Sequence, residues 1–94
     1  MLMITMEVQP GAVTLRLDRR LAFLEVRELA RIRQLVALTK PRHPVLLDLT
    51  GVTSVDSAGR EFLAQAHHDG DTLIPGATTR PLVDKISKDL VSAR

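Results

Sequence analysis

The chain has no cysteine, no tryptophan and no tyrosine, and only two phenylalanines in 94 residues. Each scarcity removes a class of function. Without cysteine there is no disulfide framework, no thiolate metal site and no Cys nucleophile, a composition suited to a reducing cytoplasm. With so few aromatics, the core must be built from Leu, Val, Ile, Ala and Met, and it has little packing to give up to a large pocket, so no cofactor is expected. Aromatic platforms for base stacking are nearly missing as well. No apolar run approaches the ~20 residues of a membrane span. The opening Met1-Leu2-Met3-Ile4-Thr5-Met6-Glu7 lacks a basic region and a sustained apolar stretch, so no signal peptide is expected.

What is present suits a soluble globular chain. Forty-five percent of residues are hydrophobic and the formal net charge is +2, and the length allows one domain, residues 1–94. The pI near 9.7 invites a nucleic-acid reading. The charge is uneven: residues 1–47 hold eight Lys/Arg (Arg16, Arg19, Arg20, Arg27, Arg31, Arg33, Lys40, Arg42) and four acids, net +4, and residues 48–94 are net −2. Arginines without aromatic neighbours more often solvate helix and strand surfaces than grip a base, so no direct nucleic-acid contact is expected.

Periodicity sets the elements. Leu2, Ile4, Met6 and Val8 alternate with Met3, Thr5, Glu7 and Gln9, and Val13, Leu15 and Leu17 alternate with Thr14, Arg16 and Asp18. Gln9-Pro10-Gly11-Ala12 between them supplies turn chemistry, which predicts an antiparallel hairpin. From Ala22 to Thr39 the period becomes helical, with Ala22, Val26, Leu29, Ala30, Ile32 and Val36 on one face, and Arg33 snorkelling at its edge. Pro41 and Pro44 end that helix. Val45–Leu49 reads as a central strand buried on both faces, and Thr50–Ser57 as a loop of small hydroxylated residues. A second helix is expected over Ala58–His68, a short strand over Asp71–Ile74, and a last helix opening at Thr79-Arg80-Pro81 with Leu82, Val83, Ile86 and Leu90 inward. The fold class is therefore α/β: a small mixed sheet of about four strands, an N-terminal hairpin followed by βαβ units, packed with about three helices.

The stretch Val45–Gly59 carries the chemistry. It brings a strand to a helix start that opens Asp56-Ser57-Ala58-Gly59. The first amides of a helix lack internal partners and sit at the positive end of its dipole. Asp56 or Ser57 can cap them, and the same amides would stabilise a phosphate on the Ser57 hydroxyl. The residues alone leave both a plain cap and a phospho-acceptor open.

This segment resembles the signature of STAS domains, named for sulfate transporters and anti-sigma factor antagonists: an apolar strand ending Asp-Leu, a loop, then Asp-Ser-x-Gly opening a helix. Here these are Asp48-Leu49 and Asp56–Gly59, and the order of elements agrees over nearly the whole chain. The resemblance implies a reduced, stand-alone, bacterial module without catalytic activity. Its Ser57 would be phosphorylated by an ATP-using anti-sigma kinase, and partner contacts would fall on Ser54, Asp56, Ala58, Gly59, Arg60 and Glu61. Unphosphorylated, such a domain binds the anti-sigma factor and so frees the sigma factor; phosphorylation breaks that complex. Three departures qualify the transfer: Ala58 replaces a second hydroxyl, Arg60-Glu61 replaces the common Leu-Gly, and the final strand and helix of many members are not matched. Ala58 and Arg60-Glu61 favour an alternative or another private partner, the alternative being a structural STAS subunit that is never phosphorylated, resembling the small component of ABC-type phospholipid transport systems; Ser57 favours the switch.

Two catalytic readings are weaker. His67-His68-Asp69 with Asp71 suggests a metal site, yet adjacent helical residues point about 100° apart and do not easily share one ion. A Ser-His-Asp hydrolase using Ser57 lacks the Gly-x-Ser-x-Gly elbow and the room for a substrate cleft. Neither a metal site nor an enzyme is expected.

Overall fold

A computed structural model describes the backbone of residues 2–92 and the side chains through Lys88. The elements are β1 (Leu2–Gln9), β2 (Ala12–Leu21), α1 (Phe23–Thr39), β3 (Val45–Val55), α2 (Ser57–His68), β4 (Thr72–Ile74) and α3 (Arg80–Ser92). They form one four-stranded sheet in the order β1-β2-β3-β4. β1 runs antiparallel to β2, through a turn in which Gly11 takes a φ of 98° that a side chain would oppose. β2–β3 and β3–β4 are parallel. Hairpin and βαβ order thus follow the sequence pattern.

Because the strand order advances in one direction, crossovers of one hand put α1 and α2 on the same face of the sheet. The core lies there: Leu15, Leu17 and Leu21 from β2, Leu47, Leu49 and Val52 from β3, and Leu73 from β4 meet Leu29, Val36, Leu63, Val83 and Ile86 from the helices. The other face carries Thr14, Arg16 and Asp18 beside Leu46, Asp48 and Thr50. The expectation that β3 is buried on both faces is therefore corrected, since Leu46 and Asp48 are only half-buried and no helix covers that side among the described residues. Asp48 uses its position locally: Oδ1 accepts from the Thr50 hydroxyl at 2.7 Å and the Thr50 amide at 3.0 Å. These bonds hold its carboxyl below the usual carboxylate range, the hydroxyl contributing most.

The expected loop after Leu49 is also corrected, because β3 continues to Val55. Its Gly, Thr and Ser residues pair with a β2 that itself extends to Leu21. Two register shifts, between Arg16 and Asp18 and between Arg19 and Arg20, absorb extra β3 residues. Arg19 takes a left-handed φ of 77° at the second of them. Ladder pairing overrides loop-like composition here.

The helices begin and end close to expectation, with informative exceptions. Ala30, placed on the inward stripe of α1, is exposed. Arg33 does not snorkel to solvent: it donates through Nε and a terminal nitrogen to both carboxylate oxygens of buried Asp71, each at 2.6 Å. This bond, outweighing desolvation, raises the guanidinium pKa further. Thr79 lies buried before α3, and its hydroxyl turns back to accept from the Gly76 amide at 2.8 Å. Leu90 of the expected α3 stripe falls outside the described side chains.

Candidate functional site

The end of β3 and the start of α2 form the site. Asp56 is the N-cap of α2, extended at φ −88° and ψ −174°. Its Oδ1 accepts from the Gly59 amide at 2.8 Å, satisfying one of the helix's orphan donors. Its Oδ2 accepts from the Phe23 amide at 3.0 Å, at the first residue of α1. Ala22 precedes that helix and offers no side-chain cap. One carboxylate therefore closes two helix N-termini, at the point where two positive dipole ends converge. The Asp56 amide donates to the Leu21 carbonyl at 3.1 Å, fixing this junction to the end of β2.

Gly59 has an equally definite task. A Cβ there would sit 2.7 Å from the Leu21 carbonyl oxygen and 2.8 Å from Val55 Cγ1, so only glycine lets α2 approach the sheet this closely. Two residues of the Asp-Ser-x-Gly stretch are thus explained by capping and packing. Ser57 is not: it opens α2 as its first residue, and it is exposed. The sequence expectation of a helix from Ala58 is one residue late, and it left the serine in the loop.

The other expected contact residues fall around this tip. Ser54, Arg60 and Glu61 are exposed, Ala58 is half-buried, and Gly59 is buried. Arg60 and Glu61 line a shallow groove of about 790 Å³ between α2 and α3, with Ala64, Thr78, Leu82 and Lys85. On the opposite side a smaller hollow of about 380 Å³ is bounded by Arg20, Phe23, Leu24, Ser54 and Asp56. Val55 borders both. Phe23 and Leu24 are strongly exposed, which makes this hollow the apolar part of the site. Sequence reasoning missed both. The available signal was that they stand at the helix start, off the inward stripe of Val26 and Leu29.

The histidine cluster comes apart. Asp71 is buried and committed to Arg33, while the Asp69 carboxylate accepts from the Gln65 amide group at 3.0 Å. Among the described residues no group of three or more His, Asp and Glu side chains is placed to hold a metal ion, and no helix is long and apolar enough to cross a membrane.

Comparison with known proteins agrees with this geometry. No curated protein matches the chain. Among solved structures it is similar to Mglu, with 24% identity and a TM-score of 0.55 over 74% of this chain and 18% of that one. A structure of Mglu in its native form gives 19% identity and a TM-score of 0.55, over 76% of this chain and 22% of the other. An uncharacterized protein of the DUF3478 family with a SpoIIAA-like fold, from Shewanella loihica PV-4, gives 12% identity and a TM-score of 0.54, over 77% of this chain and 61% of the other. The chain thus spans less than two thirds of each of these proteins, and the likeness is one of fold. The STAS domain family model matches residues 3–73, from the hairpin through α2 to β4. With the family model matching residues 3–73, the chain belongs to the STAS domain family.

Proposed function

We propose that this chain is a protein-interaction module of the anti-sigma factor antagonist type, acting in the bacterial cytoplasm and switched by phosphorylation of Ser57. The observation that carries this reading is the division of labour within Asp56–Gly59: Asp56 and Gly59 are required by the fold, whereas Ser57 stands exposed on the helix tip. The unmodified tip, flanked by Phe23 and Leu24 on one side and Arg60 and Glu61 on the other, offers an anti-sigma factor mixed apolar and charged contacts. A kinase moves the γ-phosphoryl group of ATP to the Ser57 hydroxyl oxygen; ADP leaves, and the hydroxyl proton passes to a base on the kinase. The product adds roughly −1.5 to −2 charge directly beside Asp56. Packing a partner over that combined negative charge costs desolvation and repulsion, so the complex opens.

The exposed Arg60-Glu61 pair supports a second reading, a permanent STAS subunit clamping another protein, such as the nucleotide-binding part of an ABC-type lipid transport system. Binding measurements with Ser57→Ala and Ser57→Asp separate the two. The switch requires Ser57→Ala to bind the anti-sigma partner as the native chain does and Ser57→Asp to bind at least about tenfold more weakly, ~1.4 kcal/mol. Equal affinities would leave only the structural reading.

A further inference from the structure

Among the exposed large hydrophobic side chains, Phe23 and Leu24 belong to the site described above. Of the others, Met3, Met6 and Val8 are spread along β1, and Leu35 and Leu38 lie in the last turns of α1. α1 returns from the end of β2 to the start of β3, so its last turns lie where β1 finishes and β2 begins, and the Val13 amide donates to the Pro44 carbonyl at that end. Arg33 points across to Asp71 on the β4 side. Leu35, two residues on, is turned about 200° from it and faces the β1 side. Leu35 is 58% exposed and Leu38 72%, while Met6 and Val8, which share β1's helix-bearing side with the half-buried Leu2 and Ile4, are 53% and 51% exposed.

β1 is also an unguarded edge. Among the described residues it pairs only with β2, over eight residues without a register shift. It contains no proline and no lysine, and its one charge is Glu7. Sheets commonly blunt such edges with bulges, prolines, lysines or very short strands. The opposite edge, β4, follows that rule with three residues, and β1 does not.

We propose that β1 pairs antiparallel with β1 of a second copy, about a two-fold axis through Thr5, giving one continuous eight-stranded sheet. The free edge of β1 is self-complementary. In this register Leu2 faces the second copy's Val8 and Ile4 faces its Met6, so all four residues on the helix-bearing side meet apolar partners. On the open side Thr5 meets Thr5 and Glu7 meets Met3, so the only charge on the strand is never opposed by its like. The two α1 helices then stand on the same face, over a floor of Leu2, Ile4, Met6 and Val8 from both copies, with each copy's Leu35 and Leu38 toward its own Val8 end. This contact runs along the free edge of β1, on the far side of β2 from β3 and the Ser57 tip, so it goes beyond the switch.

The test is sedimentation equilibrium of the full chain and of Thr5→Glu. Thr5 sits opposite Arg16 on β2, so a glutamate there is matched within its own copy, yet meets a second glutamate across the axis. The native chain should sediment at twice its 10.4 kDa mass. Thr5→Glu and Thr5→Lys, each first shown folded by circular dichroism because a lysine at that position would face Arg16, should each sediment as a single copy, and mixing them should restore the double mass. A native chain that stays single at hundreds of micromolar overturns the proposal. So does a dimer indifferent to Thr5→Glu, or a failure of the mixture to reassociate.

Discussion

Asp56 carries more of the architecture than its neighbour, although the two side chains are adjacent. Its carboxylate closes α1 through Phe23 and α2 through Gly59, and a cap of this kind is worth about 1 kcal/mol. Asp56→Ala should therefore lower unfolding free energy by about 2 kcal/mol in urea denaturation, both caps being lost. Ser57→Ala, which removes only an exposed hydroxyl, should fall within about 0.5 kcal/mol of the native chain. A large loss at Ser57 would make it a structural residue and remove the reason to assign it a signalling role. Asp48 offers a pH-dependent counterpart. Its carboxyl is lowered in the folded state by the Thr50 hydroxyl and amide, so its stabilisation is present above the ordinary carboxylate range, about pH 4, and is lost as pH falls through the folded value. Thermal melts between pH 6 and pH 3 should show Asp48→Asn losing less stability on acidification than the native chain.

At the scale of elements, the helix layer is pinned by an ion pair that bridges α1 to the start of β4. Asp71 is buried and Arg33 only partly exposed, and both carboxylate oxygens are used. Removing one partner strands the other: Arg33→Ala should cost about 3 kcal/mol, whereas the double replacement Arg33→Met with Asp71→Leu should recover most of that loss. A double-mutant cycle by denaturant unfolding measures the coupling, and additive single losses would contradict the picture. This pair also marks the limit of reading the sequence. The hairpin, the helical stripe of Val26, Leu29 and Val36, and the Asp-Ser-x-Gly helix start were legible because each is a local periodicity or cap. Three features were not. β3 runs to Val55 because β2 extends alongside it, α1 takes its cap from Asp56 more than thirty residues away, and Arg33 finds Asp71 across two elements. All depend on partners distant in sequence, which no local pattern encodes.

For the molecule as a whole, the proposed switch and the proposed pairing use different surfaces. The switch would engage a regulatory partner through Phe23, Leu24 and the Ser57 tip, and the pairing would join two copies along the free edge of β1. The positively charged first half of the chain takes on a quieter role. Arg16 pairs with Asp18 at 3.6 Å, Arg20 with Glu25 at 3.8 Å and Arg33 with Asp71, so three of its arginines answer carboxylates within the chain. The switch is tested most directly by intact-mass spectrometry of the chain isolated from its own cells, with partner-bound and free fractions weighed separately. The account predicts one phosphate, mapped to Ser57, on the free fraction and none on the bound fraction. The same mass in both fractions, or a phosphate on any other residue, would contradict it.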